Sequence, residues 1–116
     1  MLYYGRLGMG EGLAPDLVRG NIDTMVLRTL LEADRYGYEI AKTIAARSRG
    51  EYEPKEATLY SSLRRLEAAG WVRPYWGDES QGGRRKYYAL TEPGRQGYAA
   101  HKAAWDHAKR VLDMLL

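Results

Sequence analysis

The sequence predicts a mainly α-helical fold with one small β-hairpin and a long C-terminal helix. Leu59, Leu63 and Leu66 are spaced i, i+4 and i+7, which places them on one face of a helix. Aromatic and β-branched residues then fill two short segments around a polar, glycine-containing stretch, which is typical of a hairpin. After Thr91 apolar residues recur with a heptad period. Two further helices upstream complete the order of a winged helix-turn-helix domain followed by a terminal helix.

Length and composition limit the possible classes of protein. The 116 residues suffice for one domain, and a chain this short buries only about two thirds of its unfolded surface, so we expect a homodimer. Cysteine is absent, which excludes a disulfide framework and a thiolate zinc site, and no cofactor is expected. No apolar run approaches the ~20 residues that cross a bilayer, and nothing resembles a signal peptide. We therefore expect a cytoplasmic protein.

The first part of the chain is interpreted as an arm and two helices. Residues 1–15, rich in glycine, predict a flexible arm before a winged helix-turn-helix domain at 16–90 and a terminal helix at 91–116. Asp16 is the predicted N-cap of a helix ending near Asp34, which Gly20 weakens in its first turn. Tyr36 and Gly37 start the next helix. The predicted buried faces comprise Leu17, Ile22, Met25, Val26, Thr29, Leu30 and Ala33 in the first helix, and Tyr38, Ile40, Ala41, Ile44 and Ala45 in the second.

The third helix presents hydroxyl and guanidinium groups on the side away from its leucines. Pro54 suits its entry, since a missing N–H loses no partner there, and Gly70 suits its C-terminal end. Its second face carries Thr58, Ser61, Arg64 and Arg65, with Ser62 beside them. A helix of this kind fits the major groove of DNA, where hydroxyl groups donate to phosphate.

The hairpin consists of strands at residues 71–76 and 85–90 around the loop 77–83. Arg84, Arg85 and Lys86 directly follow two loop glycines and form a basic patch, which indicates an arm that reaches the DNA backbone or minor groove. The acidic residues Asp78 and Glu79 of the loop favour an alternative, a winged-helix module that binds protein and not DNA.

Three segments together resemble the PadR family of bacterial winged-helix regulators: YGYEIAKTI at 36–44, EATLYSSLRRLEAAGWV at 56–72 and GGRRKYYALTEPGR at 82–95. The closest likeness is to its short subfamily with one C-terminal helix, which includes the lactococcal multidrug-resistance regulator. The resemblance implies a repressor, and the expected dimer would bind a two-fold symmetric operator on double-stranded DNA. The implied DNA contacts are Thr58, Tyr60, Ser61, Arg64, Arg65, Gly82, Gly83, Arg84, Arg85 and Lys86.

The terminal helix is predicted to dimerise. Thr91 is its N-cap, and a seam at spacings of three and four has too little of its own chain left to cover it, unless the helix folds back on its own domain. The seam comprises Tyr98, His101, Trp105, Ala108, Leu112 and Leu115.

Trp105 is a candidate ligand-binding residue. Its seam neighbours are small or polar, so a gap between two Trp105 rings across a dimer would suit a planar hydrophobic or cationic molecule, to which Asp106 or Asp113 adds attraction. The family resemblance supports drug binding at this place. The alternative is that Trp105 only packs in the interface.

The sequence does not predict an enzyme. His101 and His107 lie about 120° apart on a helix and therefore do not share a metal as an i, i+4 pair does. Asp106 and His107 are sequential and point in different directions. The loop at 77–83 lacks the lysine and following helix of a phosphate-binding loop.

Overall fold

A computed structural model describes residues 12–77 and 83–116. The chain forms α1 (Pro15–Val18), a 3-10 turn (Arg19–Asn21), α2 (Ile22–Leu30), β1 (Arg35–Tyr36), α3 (Gly37–Arg47), α4 (Glu56–Ala68), β2 (Val72–Trp76), β3 (Lys86–Leu90) and α5 (Glu92–Leu115). The predicted fold class, a winged helix-turn-helix domain with a long terminal helix, is confirmed. Of the arm at 1–15, residues 1–11 lie outside the described part.

The core lies between α2, α3, α4 and the core side of the sheet. The leucines Leu59, Leu63 and Leu66 of α4 are buried, as their spacing predicts. α4 ends where Gly70 adopts φ +78°, and the N–H groups of Gly70 and Trp71 donate to the carbonyls of Glu67 and Leu66. The main buried cluster contains Val26, Leu27, Leu30, Ile40, Ala41, Ile44, Leu59, Leu63, Leu66, Val72 and Tyr88.

The sheet has three antiparallel strands in the order β1-β3-β2. β2 and β3 form the predicted hairpin, with Val72 opposite Leu90 and Trp76 opposite Lys86. The short β1 was not predicted, because a two-residue strand has no periodicity of its own. Since paired residues share a face, Tyr36, Tyr87 and Tyr75 form a row on the outer face, and Tyr88 faces the core.

Four expectations for the first helices are wrong. Asp16 does not cap α1, which begins at Pro15 after Ala14, and the Asp16 carboxylate pairs with Arg19 instead. The 3-10 turn around Gly20 shifts the helical phase, so Val18 is buried where Leu17 was expected, while Ala33, past the end of α2, is exposed. Tyr38 is also exposed, and its ring stacks on Tyr36 at the surface and not on the core.

The end of α4 is joined directly to the start of α5. The Thr91 hydroxyl donates to the Gly70 carbonyl over 2.7 Å and accepts from the Gly94 N–H over 3.1 Å, which confirms Thr91 as an N-cap. A Cβ on Gly94 would lie 2.1 Å from the Trp71 carbonyl oxygen, and one on Gly97 would lie 2.5 Å from the Trp71 ring. Only glycine permits this close approach, so α5 is fixed against the end of α4.

Candidate nucleic-acid interface

The exposed face of α4 carries Thr58, Arg64 and Arg65, with Ser61 half-buried among them. The Arg64 guanidinium donates to the Ser61 hydroxyl over 3.2 Å. Tyr60 is different, since its ring packs against the core and its hydroxyl lies 2.1 Å from where a Cβ on Gly37 would be. α4 therefore presents a short polar surface that includes Arg64, while Tyr60 lies at the edge of this surface and packs against the core.

Arg65 is held by a carboxylate of α2. Its Nη2 and Nε atoms donate to the two oxygens of Asp23 over 2.7 and 3.2 Å. The Ser62 hydroxyl, expected on the DNA-facing surface, is instead fully buried and donates to Asp23 over 2.6 Å, so that expectation is wrong. Burial raises the pKa of Asp23, but the hydrogen bonds from Arg65 and Ser62 outweigh it and leave the pKa below its ordinary value. Asp23 thus stays charged and ties α4 to α2.

The cations of the hairpin are divided between the two faces of the sheet. Lys86 pairs with Trp76 across the strands, and its ammonium lies 5.8 Å from the centre of the Tyr88 ring on the core side. The Arg84 guanidinium lies 5.1 Å from the centre of the Trp76 ring. Arg84 and Lys86 therefore share the side of the sheet on which Trp76 lies.

The Arg85 guanidinium lies on the outer face, 4.8 Å from the centre of the Tyr36 ring. The predicted basic patch is thus not one surface. Gly83 is exposed at the start of the returning segment. Gly82, like Asp78 and Glu79, lies outside the described residues.

The core side of the hairpin faces α4. Tyr88 belongs to the core cluster that α4 lines with its leucines. Burial raises the pKa of Tyr88 above its ordinary value, and the electrostatic effects of Tyr60 and Glu67 add to the rise while that of Arg64 opposes it. Trp76, Arg84 and Lys86 lie on the continuation of this side toward the hairpin tip. α4 and the hairpin cations Arg84 and Lys86 therefore lie on the same side of the sheet.

The two halves of the predicted seam on α5 have different surroundings. The Tyr98 ring packs on the core, and the His101 Nδ1 lies 3.3 Å from the Thr24 hydroxyl, with its ring 5.4 Å from that of Trp71. This half of the seam contacts its own domain. The second half is open: Ala108 is half-buried, whereas Trp105, Leu112 and Leu115 are exposed.

Trp105 lines an apolar groove of about 780 Å³ between α5 and the α1–α2 segment. Leu13, Leu17, Met25 and Leu112 contribute further apolar surface to it. The charged residues of the lining are Asp16, whose carboxylate pairs with Arg19, and the cations Arg28 and Lys102. The Lys102 ammonium binds Asp106 over 2.7 and 2.8 Å. A carboxylate thus borders the groove, but it belongs to α1 and not to α5.

The described residues add two observations about classes of site. Within 12–77 and 83–116, no three His, Cys, Asp or Glu side chains are grouped so that they could hold a metal ion. No helix in these ranges is both long and apolar enough to cross a membrane.

Sequence reasoning did not identify Asp23, Trp76 or the groove lining contributed by α1. Asp23 contacts residues 39 and 42 positions away, so no local pattern indicates its role. Trp76 resembles any strand aromatic, and only the register shows which side it faces.

Comparison with known proteins finds similarity to transcriptional regulators. The family model described as the transcriptional regulator PadR-like family matches residues 26–100. A transcriptional regulator structure from Clostridium thermocellum is 41% identical with a TM-score of 0.79, over 84% of this chain and 95% of that one. A PadR family transcription regulator from Clostridium difficile is 39% identical with a TM-score of 0.72, over 83% and 98%. The transcriptional regulator YqjI of Escherichia coli is 32% identical over 79% of this chain and 43% of its own length.

Proposed function

Because the chain belongs to the PadR-like family of transcriptional regulators, we propose that this DNA-binding regulator is a homodimeric repressor whose DNA affinity responds to a small planar molecule. Members of this family are regulators and not enzymes. The repressor role, the dimer and the ligand response are the parts that go beyond family membership. Action in the cytoplasm belongs to the same proposal, because bacterial chromosomal DNA lies there.

One observation supports the DNA-binding mode: α4, which carries Arg64, and the hairpin cations Arg84 and Lys86 lie on the same side of the sheet. In this mode α4 enters the major groove, where Thr58, Ser61 and Arg64 reach base edges and phosphates. Arg84 and Lys86 bind the neighbouring backbone. Arg65 and Tyr60 hold α4 in place, Arg65 through Asp23 of α2 and Tyr60 through its packing on the core. Arg85 contributes less, because its guanidinium lies over Tyr36 on the outer face.

The exposed second half of α5 supports the homodimer. Trp105, Leu112, Met114 and Leu115 leave a large apolar surface on a helix that a second copy would cover. Two copies related by a two-fold axis would read a symmetric operator with half-sites about one helical turn, or a multiple of it, apart.

The groove beside Trp105 supports the ligand response. An indole wall and aliphatic neighbours suit a planar hydrophobic molecule, which stacks on the ring. In a dimer the same groove would border the partner's α5, so a bound molecule would affect how the two DNA-binding domains are held.

A gel-shift titration with the DNA upstream of the protein's own gene tests the proposed function. We expect saturable binding that unrelated DNA of equal length does not compete away. Arg64→Ala should alter the preferred base at one position of each half-site, by about 1–3 kcal/mol. Equal affinity for upstream and unrelated DNA at every salt concentration would overturn sequence-specific binding.

A further inference from the structure

Trp76 is a large apolar side chain that the fold holds at the surface. It lies at the end of β2 and is 56% exposed. The pairing of Trp76 with Lys86 and the hydrogen bond of 2.8 Å from the Gly77 N–H to the Arg85 carbonyl fix the backbone on both sides of it. The indole therefore projects from a backbone that strand pairing holds in place.

The neighbouring aromatic residues of the hairpin have structural contacts that occupy them. Trp71 packs into the gap at Gly97 of α5. Tyr75, one position before Trp76, faces the outer side, where its hydroxyl donates to Asp34 over 2.6 Å. Trp76 differs from both, since its described ring contact is with the Arg84 guanidinium, itself exposed.

We propose that Trp76 is a DNA-contacting residue whose indole packs against sugars and base edges in the minor groove next to the major groove that α4 enters. This inference rests on the proposed function. Three features on the same side of the sheet carry it: the exposed indole, the guanidinium of Arg84 beside it, and the ammonium of Lys86 on the paired strand. An apolar ring flanked by two cations complements a groove whose walls are the apolar faces of sugars and whose edges are phosphates.

The chemistry of this contact indicates which DNA sequences it would favour. The minor groove distinguishes mainly A·T from G·C, and an aromatic wedge there favours steps that unstack easily, such as TA and CA/TG. Trp76 would therefore add a preference for deformable steps just outside the bases that α4 contacts. It would do so without a hydrogen bond to any base.

The test uses the full-length protein and duplexes that the wild-type chain enriches from a random 40-base-pair pool. Trp76→Ala should bind the enriched duplexes about tenfold more weakly and lose the flanking preference when selection is repeated. Trp76→Phe, which keeps a ring, should retain most of both. Tyr38→Ala is the matched control, because Tyr38 is 63% exposed, has the Lys42 ammonium 5.3 Å from its ring centre, and stacks on outer-face Tyr36.

A second measurement reports on the ring directly. DNA should quench the wild-type tryptophan emission and protect it from acrylamide, and both changes should be lost in Trp76→Phe. Wild-type affinity and unchanged flanking preference in a folded Trp76→Ala variant would overturn the inference. If the wild-type chain enriches no sequence at all, the proposed function itself fails, which is a separate result.

Discussion

The Asp23 carboxylate and the Arg65 guanidinium are joined by two hydrogen bonds of 2.7 and 3.2 Å. The same carboxylate accepts from the buried Ser62 hydroxyl, so one residue of α2 holds two side chains of α4. This pairing favours Arg64 over Arg65 as the arginine that reaches DNA, because Arg65 would first have to leave a charged partner. Asp23 is thus a positioning residue for α4.

Replacing Asp23 by Ala should lower the free energy of unfolding by about 1–3 kcal/mol, since the Ser62 hydroxyl is then buried without an acceptor. Urea denaturation followed by circular dichroism measures this. Asp16→Ala is the matched control, because the exposed Asp16–Arg19 pair has the same 2.7 Å separation, and should change stability by less than about 0.5 kcal/mol. Equal effects of the two variants would contradict the role of Asp23.

The same pair has a consequence for acid stability. The folded pKa of Asp23 lies below its ordinary value of 3.8, so the pair contributes fully above that value and is lost as the pH falls through the folded pKa. Between about pH 5 and 2, the wild type should therefore lose more stability than Asp23→Asn, which does not titrate there. Parallel losses in the two proteins would show that Asp23 contributes nothing to acid unfolding.

The two hairpin faces should differ in their contribution to DNA binding. Arg84→Ala with Lys86→Ala should weaken binding at every sequence and lower the log–log salt slope by about two units, one for each lost phosphate contact. Arg85→Ala, on the outer face, should lower it by clearly less than one unit. Fluorescence anisotropy at several salt concentrations measures both slopes. An unchanged slope in the double variant would remove the hairpin from the interface.

Leu112→Asp should dissociate the proposed dimer, because a carboxylate buried in an apolar interface costs several kcal/mol without a partner. Adding Leu115→Asp should strengthen the effect, and DNA affinity should fall with it. Ala103→Asp is the control, since it adds the same charge about 180° away on the same helix. Analytical ultracentrifugation that finds Leu112→Asp still dimeric would mean that another surface forms the interface.

Trp105→Ala should abolish the binding of a planar cationic dye in the groove. A Hoechst-type dye, titrated without DNA, should quench the wild-type tryptophan emission at micromolar concentration, with stacking worth about 0.5–2 kcal/mol. Quenching that persists in Trp105→Ala would place the dye elsewhere.

Gly94→Ala should destabilise the fold although alanine is the better helix former by about 1 kcal/mol. The added methyl would lie 2.1 Å from the Trp71 carbonyl oxygen and would separate α5 from the end of α4, at a cost of roughly 1–3 kcal/mol. Gly20→Ala, where no atom lies within 4 Å, is the control and should not destabilise. A thermal unfolding midpoint for Gly94→Ala at or above that of the wild type would contradict a close contact between α5 and the end of α4.

The sequence by itself determined those features that local periodicity and local backbone chemistry specify. The leucines of α4, the end of that helix at Gly70, the hairpin and the Thr91 cap all follow from residues within a few positions of one another. Such features are predictable because each depends on a helical or strand repeat, a positive φ or a single capping bond.

Only the tertiary structure decided which side chains are available for binding. Arg64 and Arg65 are adjacent, chemically equal and both exposed, yet Arg65 is paired with the Asp23 carboxylate from 42 positions away, whereas Arg64 donates to the Ser61 hydroxyl of its own helix. Arg84, Arg85 and Lys86 form one basic run in the sequence, yet the strand pairing sends them to opposite faces. The helix or strand period determines which side chains share a face, but it does not determine which residues they contact. Those contacts come from distant chain segments that meet only when the core forms.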